Sequence, residues 1–122
     1  MLRGGVVTLY VSDMDRSVRF YQETLGFTLN ERHGNHWASL TGGPGLTIGL
    51  HPSTPEVPAG RPGSIALGLY VDGPIADAVQ RLTARGVRFT GPVIDDKALS
   101  LAFFTDPDGN PLYIAEMKPA YR

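Results

Sequence analysis

The feature that most constrains this chain is a repeat. Leu9-Tyr10-Val11 returns as Leu69-Tyr70-Val71, sixty positions further on. Each copy runs directly into residues that start helices, Ser12-Asp13 in the first and Asp72-Gly73-Pro74 in the second. Gly26 and Gly86 close the following segments at the same offset, with Phe27 and Val87 next in line. Features that recur in one register across two segments indicate an internal duplication. At 122 residues the chain has room for one domain over 1–122, made of a first module (1–51), a linker (52–63) and a second module (64–122).

Each module reads as βαβββ. β-type runs open the halves, Val6 to Val11 and Ile65 to Val71. In the first helix Met14, Val18, Tyr21 and Leu25 recur at helical spacing behind Ser12 or Asp13 as cap; in the second Pro74 suits the first turn, and Ile75, Val79 and Leu82 form the stripe. Three short strands are then expected in each half, at 27–33, 36–41 and 46–51, and at 88–95, 99–105 and 111–117. Gly34-Asn35 reads as a two-residue hairpin turn, and Asp106-Pro107-Asp108-Gly109-Asn110 as a second strong turn. Between the halves, 52–63 holds four prolines and two glycines and reads as an extended surface linker.

Alternation sorts the strand residues into two faces. Val7, Leu9 and Val11 oppose Val6, Thr8 and Tyr10; Leu46, Ile48 and Leu50 oppose Thr47, Gly49 and His51; Leu112 and Ile114 oppose Pro111, Tyr113 and Ala115. In the second module's first strand, Ile65, Leu67, Leu69 and Val71 oppose Ser64, Ala66, Gly68 and Tyr70. The aliphatic face is expected to pack on the helices. The other, rich in small, hydroxyl and aromatic residues, suits the wall of a ligand site.

Composition removes several function classes. Eleven basic against twelve acidic residues give a net charge of −1 with no basic run, which argues against nucleic acid as a partner. Cysteine is absent, so disulfides, thiolate metal sites and cysteine nucleophiles are excluded. No apolar run reaches the roughly 18 residues of a membrane span, and no secretory leader is visible, so a cytoplasmic location is expected.

The run Tyr10-Val11-Ser12-Asp13-Met14-Asp15-Arg16-Ser17-Val18-Arg19-Phe20-Tyr21, followed by Leu25-Gly26-Phe27, resembles the opening of the vicinal oxygen chelate superfamily. That superfamily includes glyoxalase I, extradiol dioxygenases, fosfomycin-resistance enzymes and bleomycin-resistance proteins. Phe104-Thr105-Asp106-Pro107-Asp108-Gly109-Asn110-Pro111 is similar to its closing turn, so the resemblance spans the chain. It implies an α+β fold in which two tandem βαβββ modules form a cupped mixed sheet with helices on the outer face, usually completed in a homodimer.

In metal-using relatives, strand positions supply His, Gln or Glu ligands to a divalent cation. The resemblance places those positions at Val6, Gly49, Ser64 and Tyr113, none of which is an imidazole or a carboxylate. No metal or other cofactor is therefore expected. His33 and His36 flank a hairpin and read as exposed loop residues; Asp95-Asp96 reads as a solvated acidic pair. Glu116, three past Tyr113, is expected to point to the opposite face.

The candidate ligand-binding residues are thus Thr8, Tyr10, Trp37, Thr47, His51, Ser64, Tyr70, Phe104 and Tyr113. Trp37, the sole tryptophan, offers a stacking surface for a flat ligand, shared with Phe104; the hydroxyls and His51 orient it. His51, or a tyrosine among Tyr10, Tyr70 and Tyr113, is also a candidate acid–base group. The expected function is metal-free binding of an apolar or aromatic small molecule, for drug sequestration or self-protection. A metal-independent isomerase, cyclase or lyase on the same fold is the alternative, and a metal-dependent glyoxalase-like lyase or dioxygenase ranks third.

Overall fold

The computed structural model describes residues 1, 6–60 and 66–119. Ser64, with Arg61, Pro62, Gly63 and Ile65, lies outside the described residues. The chain divides into two compact units, Met1–Arg61 with Pro107–Gly109, and Pro62–Asp106 with Asn110–Arg122.

The first unit holds β1 (Val7–Val11), α1 (Met14–Arg19), β2 (Thr28–His33), β3 (Trp37–Thr41) and β4 (Thr47–Pro52). Its sheet has the order β1-β4-β3-β2, with β1 parallel to β4 and the other pairs antiparallel. The second holds β5 (Leu67–Tyr70), α2 (Ile75–Ala84), β6 (Ile94–Asp95), β7 (Leu99–Thr105) and β8 (Pro111–Met117). Its order is β5-β8-β7-β6, again with the outer pair β5 and β8 parallel. One strand plan occurs twice, as the repeat requires. No helix among the described residues is long and apolar enough to cross a membrane.

The aliphatic faces are largely buried as the alternation predicts, except that Val7 at the start of β1 is 38% exposed. Leu9, Val11, Ala38, Leu40, Ile48 and Leu50 are buried in the first unit, together with Met14, Val18 and Tyr21 from the helical segment. In the second, Leu67, Ala102, Phe104, Leu112 and Ile114 are buried, with Ile75 from α2. Each large apolar side chain removed from water in this way contributes about 1.5–3 kcal/mol relative to an exposed one.

The two helices start differently. Asp13 caps α1 from within the segment, its Oδ1 accepting from the Arg16 backbone N–H at 3.0 Å. Pro74 stands at the cap of α2 rather than inside its first turn, with φ −68° and ψ 135° and no side-chain acceptor to offer. Glu116 on β8 fills the role, accepting from the Ile75 N–H at 2.9 Å. It therefore faces α2, on the side away from Tyr113, as expected.

Three local expectations are corrected. The single helix predicted through Leu25 is α1 followed by a π-helical turn, Phe20–Thr24, in which the Leu25 N–H donates to the Phe20 carbonyl. Tyr21 in that turn is completely buried, with ring contacts to Phe20 and Phe27 at 5.2 and 5.6 Å. The hairpin at Gly34 has three loop residues, not two, because His33 pairs with Trp37 and the His36 N–H closes on the His33 carbonyl. The strand predicted over 88–95 survives only as a bridge between Phe89 and Phe104 and as the two residues of β6. Gly91-Pro92 lies between those pieces, and proline cannot donate to a ladder.

Asp108 explains why Pro107–Gly109 belong with the first unit. Its side chain, 4% exposed, accepts from the Ser12 N–H at 3.2 Å and from Arg16 Nη2 at 3.3 Å. The Ser12 hydroxyl also donates to it, and Ser17 Oγ lies 3.4 Å away. Charge-assisted bonds of this kind are roughly twice as strong as neutral ones.

Candidate functional site: the open sheet faces

With one face of each sheet buried, the other carries most of the candidate polar and aromatic residues. On the first sheet, Thr8 pairs with Gly49 and Tyr10 with His51 across β1 and β4, while Ser39 pairs with Gly49 from β3. Thr8, Tyr10, Ser39, Thr47, Gly49 and His51 therefore share a face. Trp37, two residues before Ser39, joins them, and its indole lies across Gly49. A Cβ on that glycine would overlap the ring at Cη2. Only glycine leaves this clearance on a central strand.

His51 is fixed by two contacts. Its ring stands 5.2 Å from that of Tyr10, tilted by 57°, and its Nδ1 lies 2.8 Å from the Pro52 carbonyl oxygen. Glu31 and His33 sit further out on β2, 3.4 Å apart and exposed.

The second sheet repeats the device with other residues. Gly68 pairs with Tyr113, and a Cβ on Gly68 would overlap the Tyr113 ring. Phe103 pairs with Tyr113 from β7, with ring centroids 5.4 Å apart. Tyr70 is 79% exposed on the same face. Phe104 is not part of it: this residue is 1% exposed, shares the buried face with Ala102 and packs its ring on Phe89 at 5.5 Å. The open-face aromatic of β7 is Phe103, which sequence reading missed. The register Phe103–Tyr113 reveals it, whereas alternation on β7 alone leaves either parity open because 103 and 104 are both phenylalanine.

The residues present do not fit a divalent metal at the inherited positions. Val6 and Gly49 carry no side-chain donor, the Tyr113 ring is folded over Gly68, and Ser64 lies outside the described residues. Among the described residues no group of three or more His, Asp or Glu is placed to hold a metal ion.

Two ion pairs lie off these faces. Arg32 Nη2 is 2.5 Å from Asp15 Oδ1, and this hydrogen bond, with the guanidinium charge, holds the Asp15 carboxyl below its ordinary range. Asp95 is lowered likewise, first by its bond to Lys118 Nζ at 2.6 Å and then by the Ser100 hydroxyl at 2.7 Å. The acidic pair expected at 95–96 is thus half tied into the edge of the second sheet.

Each of the two four-stranded mixed sheets, of one strand plan, has a helix on one face and an aromatic ring laid over glycine on the other, a duplicated α+β architecture. Residues 4–114 match the sequence profile of the glyoxalase/bleomycin resistance protein/dioxygenase superfamily, and the chain belongs to that family. It is 36% identical over 107 residues to an uncharacterized protein of Mycolicibacterium smegmatis, covering 88% of this chain and 87% of that one. Virulence protein STM3117 of Salmonella typhimurium is 31% identical over 116 residues, covering 90% of this chain and 81% of the other. Among solved structures, TnmS3 of Streptomyces sp. CB03234, an antibiotic binding protein, superposes with a TM-score of 0.80 at 29% identity, over 97% of this chain and 98% of its own.

Proposed function

We propose that this protein binds flat, largely apolar or aromatic small molecules without a metal, in the manner of a drug-sequestering or self-protection protein, and that it does so as a homodimer. The observation that carries the reading is Trp37 laid over Gly49, on a face where the neighbouring groups are hydroxyls, one imidazole and a second aromatic ring. Such a surface recognises by stacking and orients by a few polar atoms. The donor-poor residues at Val6 and Gly49 support the metal-free part, and the likeness to an antibiotic binding protein supports the ligand class. The cysteine-free composition accords with a reducing, cytoplasmic setting.

The test is a screen of planar metabolites and antibiotics read by Trp37 emission, with ligand recovery and elemental mass spectrometry on the same preparation. Saturable quenching, unchanged ligand and no retained metal are expected. Near-stoichiometric, tightly held Ni, Zn, Mn or Fe would overturn the metal-free reading. A second reading, a metal-independent isomerase, cyclase or lyase, draws on the Tyr10–His51 pair as acid–base groups. It requires turnover in excess chelator that His51→Ala abolishes.

A further inference from the structure

We infer that His51 selects ligands carrying a neutral hydrogen-bond donor at one edge, and that its Nε2 is the atom that reads it. This rests on the proposed binding role of the first sheet's open face.

The Nδ1 of His51 is 2.8 Å from the Pro52 carbonyl oxygen. A carbonyl only accepts, so Nδ1 carries the proton. In the neutral ring Nε2 then holds a lone pair and acts as an acceptor. The Tyr10 ring at 5.2 Å, together with the bond to Pro52, holds the imidazole plane, so the lone pair has a set direction.

Of the other polar groups on the face, the Trp37 indole N–H only donates, and the Glu31 carboxylate, opposite Ser39, only accepts but lies out on β2 beside His33. The hydroxyls of Thr8, Ser39 and Thr47 rotate and serve as donor or acceptor alike. On β4 His51 offers an acceptor whose role the backbone fixes. It follows Gly49 by two residues on the same face, so the acceptor and the Trp37 ring that covers Gly49 are neighbours. A ligand stacked on the indole therefore presents an edge to His51. A phenol-type O–H or a ring N–H there gains a bond, whereas an ether or a carbonyl in the same place leaves Nε2 without a donor.

The experiment compares 1-hydroxypyrene with 1-methoxypyrene at neutral pH, each titrated against the whole protein and read as loss of Trp37 emission. The phenol is expected to bind about fivefold more tightly than its ether, the worth of one net hydrogen bond. In His51→Leu the ratio of the two affinities falls to about one. Equal binding of the two probes by the natural protein overturns the inference and leaves the stacking reading standing; so does a preference that persists in His51→Leu. Failure of both probes to affect Trp37 overturns both. Nitrogen-15 NMR of the histidine rings provides a check independent of the variant: a proton on Nδ1 of His51 is expected, and a neutral ring protonated on Nε2 overturns the inference.

Discussion

The indole of Trp37 lies across Gly49 so closely that a single methyl group on the glycine would overlap the ring. The consequence is testable in one step. Gly49 does not have a positive φ, so alanine is permitted by the backbone and the whole effect comes from the overlap. Gly49→Ala should displace the indole, cost about 1–3 kcal/mol in chemical denaturation, and shift Trp37 emission. Affinity for a stacking ligand should fall by about tenfold, an effect of roughly 1.4 kcal/mol.

Phe103 and Phe104 provide an internal control for which face binds. Phe104→Ala empties a fully buried site and should cost about 3–5 kcal/mol of stability. Phe103, 37% exposed beside Tyr113, should tolerate alanine at about 1 kcal/mol or less. Equal losses in thermal or chemical denaturation would show that the two faces of β7 are wrongly assigned.

The helix starts make a paired prediction. Asp13→Ala should cost about 1 kcal/mol through the lost cap on α1. Glu116→Ala should destabilise α2 similarly, whereas Glu116→Gln retains an oxygen for the Ile75 N–H and should lose less. Denaturation of the three variants side by side separates capping from simple loss of a carboxylate.

Asp15 and Asp95 contribute to the acid limb of the stability curve. Both have folded values below the ordinary 3.8, Asp15 chiefly through Arg32 and Asp95 chiefly through Lys118. A carboxyl lowered by folding stabilises the folded state above its unfolded value, and that contribution is lost as pH falls through the lowered one. Both groups are solvent-exposed, so the effect is small and screened by salt. Asp15→Asn and Asp95→Asn should therefore have a lower Tm than the natural protein above about pH 4, a gap that closes as acid is added and narrows in high salt.

Much of the fold was legible because duplication and period-two alternation are local signals. Leu9, Val11, Ile48 and Leu50 were placed on the buried face by parity alone, and the structure buries them all. What escaped depends on partners far along the chain or on backbone detail. No local pattern announces that the Asp108 carboxylate receives Ser12 from 96 residues away, or that Phe103 rather than Phe104 meets Tyr113. The π-helical turn at Phe20–Thr24 has the same apolar spacing as an ordinary helix. Gly91-Pro92, by contrast, is a local strand breaker, and the strand pairing between Phe89 and Ile94 breaks there. On the candidate site, the residue types were evident, but the position of the Trp37 ring over Gly49 was not. A side chain's lean is set by the neighbouring strand's register rather than by its own.

The unlike caps of the two helices also bear on the order in which the halves form. The acceptor for α1 lies three residues away, whereas that for α2 lies 41 residues away, on the last strand. A local cap is available as soon as its own turn forms; a distant one waits for the loop between to close. The first helix should therefore gain amide protection early in refolding and the second only when β8 is in place, a sequence that pulse-labelled hydrogen exchange resolves. Simultaneous protection of α1 and α2 would show that capping does not set the order. On this account the two copies of the repeat, alike in plan, are unlike in time: the cap of the first helix closes within its own turn, and that of the second waits for β8.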